Sequence, residues 1–455
     1  MKEESSLKIF LVDLFEYYEE NNINYCLLRN YETLPDYMNS SDIDILISRK
    51  DRRINKEIIS DISNKHNFII YYLYNDERFE QFYLYQRLDN IFLKIDYFFE
   101  NELYGVRLIE GDNILKTKKP YKMFYIADDI YRFLDKWLYS YLLNACLPDK
   151  YHQEFRKIVL FETEAINNLL SGIFGKEEGK KLLNAIADNG FNGLPHVNRI
   201  KRFMTLLKCA IKGPLFHLWH VPTFFYYRIK YFFFLKGEFI SFNGPDGSGK
   251  TTILELALKD LTKAFRTGDN NLFHFRPSLF PRIAEIGRKA RVISSVDENY
   301  QNPHRAKASN YFGSIFRLVY YSLDYILGYF IRIRPKLVHR ELVIFDRYFY
   351  DMIADPGRSR ISLPFRLLKL CSYFIPSPKS SFFIYAKPKN ILERKQELTK
   401  EKVSVLNERY IKVTRCNKNF VTINNNEDPE KAVKEIVETI IQRRVNRIKS
   451  ISASR

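Results

Sequence analysis

The sequence predicts an α/β C-terminal half built on a parallel sheet, preceded by a small α+β domain and a helical segment. Three observations carry this reading. From about residue 238, short apolar runs alternate with helical segments; a glycine-rich loop joins the first run to the first helix; and the first 115 or so residues hold five strand-like runs around one charged helix. Strands alternating with helices of this length place helices on both faces of a parallel sheet.

In chain order, residues 7–20 put Leu7, Phe10, Leu11, Leu14, Phe15 and Tyr18 at helical spacing, the mark of one core-facing helix. Strand-like runs follow at 23–29, 43–48, 68–74, 81–87 and 91–99, with a charged helix over 51–65. These make a domain over 1–118. The texture then turns helical, with Asp128, Asp129 and Leu134 in one expected helix and Phe161, Ile166, Leu169 and Leu170 in another.

Residues 189–237 contain no Asp or Glu but carry Arg199, Lys201, Arg202, Lys208, Lys212, Arg228, Lys230 and Lys236, interleaved with Trp219 and the run TFFYYRIKYFFFL. Such a stretch suits an interfacial helix on anionic lipid or a nucleic-acid surface. The alternative is a linker whose aromatics pack between domains. The helical appendage and basic aromatic linker together span 119–236. The third part, 237–447, has strands at 238–243, 342–346, 381–386 and 420–424, and helices at 250–265, 388–399 and 429–445.

The 455 residues leave room for two or three domains at about 150 residues each. With 46% hydrophobic and 28% charged residues, the composition is that of a folded chain and not a disordered or repetitive one. No run reaches the ~18 apolar residues that a membrane-spanning helix needs. A net charge of +18 calls for an anionic partner, unless it reflects the general richness in Lys, Asn, Ile, Tyr and Phe. The five cysteines are scattered and never in a CxxC, which argues against a disulfide framework or a zinc site and for a reducing, cytoplasmic location. The N-terminus leads into an amphipathic stretch, not a signal-peptide apolar core. The eight histidines show no ligand spacing.

The strongest chemical signal is Gly244-Pro245-Asp246-Gly247-Ser248-Gly249-Lys250-Thr251-Thr252, between the strand EFISFN and the helix TTILELALKDL. This is a P-loop in its required context. Its glycines turn backbone N–H groups around a phosphate at the positive end of the new helix. Lys250 would reach the terminal phosphates of a nucleotide, and the Thr251 hydroxyl would bind Mg²⁺. The strand Leu342-Val343-Ile344-Phe345-Asp346-Arg347 ends in a carboxylate placed to hold Mg²⁺ or its waters, and in a guanidinium able to grip a phosphate through two hydrogen bonds.

GPDGSGKTT followed by FDRYFYD resembles the thymidylate kinase family, from about 238 to 445. The resemblance implies ATP as donor, Mg²⁺ as counter-ion and in-line transfer to a nucleoside monophosphate or similar phosphorylated acceptor, with a homodimer common in the family. It places Asp246, Arg276 and Arg347 at the acceptor, and Arg394 with Lys395 on a mobile basic lid. Catalysis then rests on Lys250, Asp346, Arg347 and Arg394. Two features depart from the family pattern: the Tyr-rich helix FRLVYYSLDYILGYFIRI, with Asp324 in its middle, and the stretch DPGRSRISLPFRLLKLCSYFIPSPKS carrying Arg358 and Arg360. That stretch and the fused N-terminal domain look like kinase-like proteins of bacterial surface-glycan clusters.

In the N-terminal domain, Asp42 and Asp44 sit at i and i+2 of a strand and share a face, and Asp96 on another strand completes a triad able to hold two Mg²⁺ ions. The arrangement resembles the nucleotidyltransferase superfamily. That family expects a Gly-Ser turn where this chain has Leu27-Leu28-Arg29-Asn30, so Arg29 is the candidate phosphate contact, or the domain keeps the fold without the activity. The expectation is a cytoplasmic ATP- and Mg²⁺-dependent phosphotransferase, peripheral to an anionic membrane and with no specific nucleic-acid partner. The rivals are a nucleotidyltransferase with a regulatory P-loop domain and an ATP-switched binding protein.

Overall fold

A computed structural model describes residues 2–76, 78–268, 271–281, 283, 309–395 and 399–453. The chain divides into two compact units, Met1–Lys230 with Arg444–Arg455, and Tyr231–Arg443.

The first unit is built on strands β1 (Tyr25–Arg29), β2 (Ile43–Ile47), β3 (Phe68–Asn75), β4 (Phe79–Gln86) and β5 (Ile91–Phe98), within a residue or two of the predicted runs. The pair β6 (Asn101–Leu103) and β7 (Val106–Ile109) follows, then β8 (Lys119–Tyr121) and β9 (Phe124–Ile126). The main sheet has seven strands in the order β3-β4-β5-β2-β1-β9-β8. The helices Lys2–Glu20 and Arg52–Lys65 bury Phe10, Leu14, Phe15, Ile58, Ile59 and Ile62 in one core. Inside it, the Tyr18 hydroxyl bonds to Asn55 and Tyr97, each at 2.6 Å, which satisfies polar groups that burial would otherwise penalise.

β8 and β9 lie beyond residue 118, in the stretch expected to be helical, so the sheet runs on past the expected boundary. Three-residue strands are too short to show a period of two, which is why the sequence hid them. The helices Asp129–Leu143, His152–Phe161, Thr163–Phe174, Lys176–Asn189 and Arg199–Lys212 then enclose a second core around Phe133, Trp137 and Leu170. Asp128 starts the first of them by accepting a hydrogen bond from the Ile130 N–H. The basic aromatic stretch folds as Arg199–Lys212 and Pro214–Phe233.

The second unit carries a five-stranded, wholly parallel sheet of β10 (Glu238–Asn243), β11 (Leu272–His274), β12 (Leu342–Asp346), β13 (Ser380–Tyr385) and β14 (Phe420–Asn424), in the order β11-β12-β10-β13-β14. Every residue of central β10 is buried, as a strand covered on both faces requires. β11 is again too short to be read from sequence. The expected helix 388–399 is Pro388–Arg394, its remainder reaching residues outside those described, and the last helix extends over Pro429–Ala453. Parallel strands bring all their carboxyl ends to one edge, so Asn243, His274 and Asp346 share the edge where ligands of open α/β sheets bind.

Trp137 is fully buried and stacks on Phe133 and Tyr141 at 5.5 and 5.1 Å. Trp137→Ala should cost the first unit about 3–5 kcal/mol. In a urea titration of the full chain, the transition reporting that unit should move to lower denaturant; an unchanged midpoint would show that this cluster does not hold the unit together.

Candidate functional site

β10 feeds directly into the glycine-rich loop. Gly247 and Gly249 adopt φ of 83° and 81°, the left-handed region that side chains disfavour. A Cβ on Gly249 would lie 2.3 Å from the Asn425 amide nitrogen and 3.0 Å from an Arg394 guanidinium nitrogen. The same distances show that both side chains press on the loop. Asn425 donates to the Ser248 carbonyl at 2.8 Å, tying the end of β14 to the loop. The helix Lys250–Ala264 starts at once, and its first-turn N–H groups have no acceptor within the helix, leaving the positive dipole end open to an anion. Thr251 and Thr252 are exposed there, while Ser248 is buried with a hydroxyl that finds no partner.

The charged groups around the loop form two clusters. Lys250 Nζ lies 2.9 Å from one oxygen of Asp346, and His274 Nδ1 lies 2.9 Å from the other. The β11–β12 register, which sets His274 opposite Asp346, explains the second contact. Burial would raise the Asp346 pKa, but the His274 contact and the Lys250 ammonium hold it well below the usual carboxylate range. Lys250 is itself lowered, chiefly by burial and then by the nearby Arg347 charge.

Arg347 is almost fully buried at φ 74°, a conformation that costs an ordinary residue of order 1 kcal/mol. Its N–H donates to the Phe242 carbonyl at 2.7 Å. Its guanidinium donates to the Gly244 carbonyl at 2.7 Å, to Asp351 at 2.6 Å and to Asp246. The other oxygen of Asp246 accepts from Arg358. Burial would raise Asp246 too, yet the two arginines hold it well below its ordinary value. Asp351, fully buried, is instead pushed up by desolvation.

Lys250, Asp346, Arg347, Asp246 and Arg394 are therefore grouped at the loop. Arg276 donates to Asp324 at 3.2 Å and to the Pro281 carbonyl at 3.3 Å, beside the Tyr321 ring. Asp324, the carboxylate that departs from the family pattern in the helix Tyr311–Gly328, is thus the buried counter-ion of Arg276. Sequence reasoning missed Asp351, Asn425 and His274 and gave Arg358 no role. Arg358 was visible only as one arginine of an unexplained stretch, and His274 only as one of eight histidines without ligand spacing.

In the first unit, the parallel pairing of β2 with β5 sets Asp44 beside Asp96, and Asp42, Asp44 and Asp96 each offer an oxygen within 4.8 Å of the others. Hard oxygens so grouped could hold a divalent cation. Burial first, and then Asp44, raise the pKa of Asp42. Gln81 donates to both oxygens of Asp96 at 3.0 and 2.9 Å. Arg29, beyond a register shift in β1, points its guanidinium at Asp44 (2.9 Å) and at Asp135 of the helix Asp129–Leu143. Asp135 also escaped notice, being 106 residues from Arg29.

Residues 242–436 match the thymidylate kinase family model. A thymidylate kinase of Lactobacillus acidophilus is 25% identical over 224 residues, 46% of this chain and 96% of the relative. One of Malacoplasma penetrans is 25% identical over 169 residues, 37% of this chain and 70% of the relative. A crystal structure of thymidylate kinase from Ehrlichia chaffeensis aligns at 20% identity and a TM-score of 0.30, covering 45% of this chain and 98% of that one. With the P-loop, the Asp346–Arg347 strand end and the parallel sheet in place, residues 242–436 are a thymidylate kinase family domain, and its chemistry is nucleotide kinase-type phosphotransfer.

Proposed function

We propose that this domain transfers the γ-phosphate of ATP, bound with Mg²⁺, to the phosphate of a nucleoside monophosphate, dTMP in the first instance, or of a related phosphorylated precursor of a surface glycan. The observation that carries this reading is the pair of arginines, Arg347 and Arg358, closed on Asp246 beside the P-loop. A fork of two buried or half-buried guanidiniums is the recognition element for a second phosphate, over and above the donor's. The names of the relatives favour dTMP; the stretch around Arg358 favours a glycan precursor.

The chain's own groups divide the work. The loop N–H groups and Lys250 hold the donor's terminal phosphates, and Arg394, against Gly249, neutralises charge that develops during transfer. An acceptor phosphate is already ionised at neutral pH, so no general base is needed and alignment supplies most of the rate. The Thr251 hydroxyl and the Asp346 carboxylate, kept ionised by its neighbours, are hard donors that fit Mg²⁺. When bound, Mg²⁺ supplies further charge neutralisation between the phosphates. A second reading, favoured by the Asp42–Asp44–Asp96 cluster, adds nucleotidyl transfer in the first unit with Arg29 as its anion contact.

Lys250→Ala should lower ADP release from ATP and dTMP by roughly 10²–10³-fold, whereas Asp42→Ala should leave it unchanged. A panel of nucleoside monophosphates and sugar phosphates identifies the acceptor. If ATP binds but no acceptor supports turnover, the nucleotide-kinase reading fails.

Arg358→Ala should raise the acceptor KM about tenfold or more while sparing the KM for ATP, because a charge-assisted bond is worth roughly 1.5–3 kcal/mol. A rise confined to the ATP KM would instead assign Arg358 to the donor.

Acid should reveal the Asp246 clamp. A carboxylate whose folded pKa is depressed stabilises the fold above its unfolded pKa of about 4, and that contribution is lost as pH falls through the folded value. Wild type should therefore exceed Asp246→Asn in stability at pH 7, and the gap should shrink steadily below about pH 4. Chemical denaturation across pH measures this; a gap independent of pH would show that the Asp246 charge is not what holds the two arginines.

A further inference from the structure

We propose that the first unit docks on an anionic membrane surface through two consecutive helices, Arg199–Lys212 and the portion of Pro214–Phe233 up to Lys230. In the first helix the apolar residues Ile200, Phe203, Met204, Leu207 and Ile211 are all exposed. Their spacing of three and four puts them on one face. In the second, Leu215, Leu218, Trp219, Phe225, Tyr226 and Ile229 repeat that spacing and are exposed as well, Leu215 at 86% and Trp219 at 69%.

These helices are anchored by their opposite faces. Thr205 and Cys209 of the first helix are buried, as are His217 and Phe224 of the second. The Arg107 N–H donates to His217 Nε2 at 3.1 Å, and the Arg107 and Arg78 guanidiniums lie over the rings of Phe216 and Phe224 at 4.3 and 4.9 Å. The apolar faces are thus presented outward from an ordered base.

Charge selects the occupant. The two helices up to Lys230 carry seven Lys or Arg and no Asp or Glu; Lys201 is paired with Glu178, while Arg199, Lys208, Lys212 and Arg228 are exposed. Two copies meeting through this face would bring like charges together, and a phosphate backbone offers nothing to bury Leu215, Leu218, Ile200 or Ile211. An anionic lipid surface meets both demands: its head groups take the cations, and the acyl boundary takes the aliphatic and aromatic side chains, Trp219 being the residue type favoured at that depth. The helices lie in the interface and do not cross it: they have 14 and 20 residues, and no helix among the described residues is long and apolar enough to span.

The test is co-sedimentation of the full chain with vesicles of phosphatidylcholine alone and of phosphatidylcholine with phosphatidylglycerol. Binding should require phosphatidylglycerol and weaken as salt rises. The chain has two tryptophans, and Trp137 is already buried, so a blue shift of emission on binding reports Trp219. Phe203→Glu and Trp219→Glu, both at exposed positions, should each lower partitioning about tenfold or more and leave the circular dichroism and ADP release in solution unchanged. Three results would overturn the proposal: no binding to phosphatidylglycerol vesicles, binding indifferent to these substitutions, or a lipid-free dimer that they dissociate. Salt-sensitive binding to RNA without binding to vesicles would give the face to nucleic acid and equally sink it.

Discussion

The guanidinium of Arg347 is the junction on which the C-terminal site depends. It joins the loop backbone at Gly244, the loop carboxylate Asp246 and the buried Asp351 one helical turn further on, and through Asp246 it reaches Arg358. Burying a cation this completely is expensive unless it is paired, and here two carboxylates and a carbonyl accept from it. The left-handed backbone at Arg347 fits the same demand: the chain turns sharply at the end of β12 so that the side chain folds back under the loop. Removing the guanidinium would leave Asp351 buried and uncompensated, which is why this position couples architecture to chemistry.

A common pattern links the cations expected to meet phosphate. Lys250 is paired with Asp346, Arg347 and Arg358 with Asp246, Arg276 with Asp324, and in the first unit Arg29 with Asp44 and Asp135. Desolvation explains the pairing, since an unpaired buried charge would cost several kcal/mol. Each carboxylate keeps its cation in place. It also sets a threshold, because an entering anion must replace a bond already made. Phosphate dianions offer more charge and more acceptor oxygens than one carboxylate, so such a site favours them over singly charged competitors.

Much of this was legible in the sequence because the relevant signals are local. The P-loop is nine contiguous residues between a strand and a helix, and Asp346–Arg347 closes an apolar run that could only be a buried strand. Asp42 and Asp44 were readable as a pair because a strand's period is two. What escaped depends on distance along the chain. Asn425 reaches Ser248 across 177 positions, Arg358 reaches Asp246 across 112, and no spacing rule connects them. The three-residue strands β8, β9 and β11 escaped for a different reason: pairing with a neighbour, not their own sequence, makes them strands.

The pairing of Arg276 also shows a kind of order that the sequence leaves hidden. Three further bonds fasten the segment around it to the helix Tyr311–Gly328: the Tyr325 hydroxyl to the Phe275 carbonyl, the Tyr320 hydroxyl to the Pro281 carbonyl at 2.7 Å, and the Phe280 N–H to Asp324 at 2.7 Å. Segment and helix therefore act as one wall, with a buried ion pair at its centre. A wall built this way resists small adjustments, because moving either strip breaks bonds to groups that burial would leave unsatisfied. The glycine-rich loop is nine contiguous residues between a strand and a helix. The shape of the wall, by contrast, is set by contacts 44 to 50 residues apart. The loop can accordingly be read from the sequence, and the wall only from the folded chain.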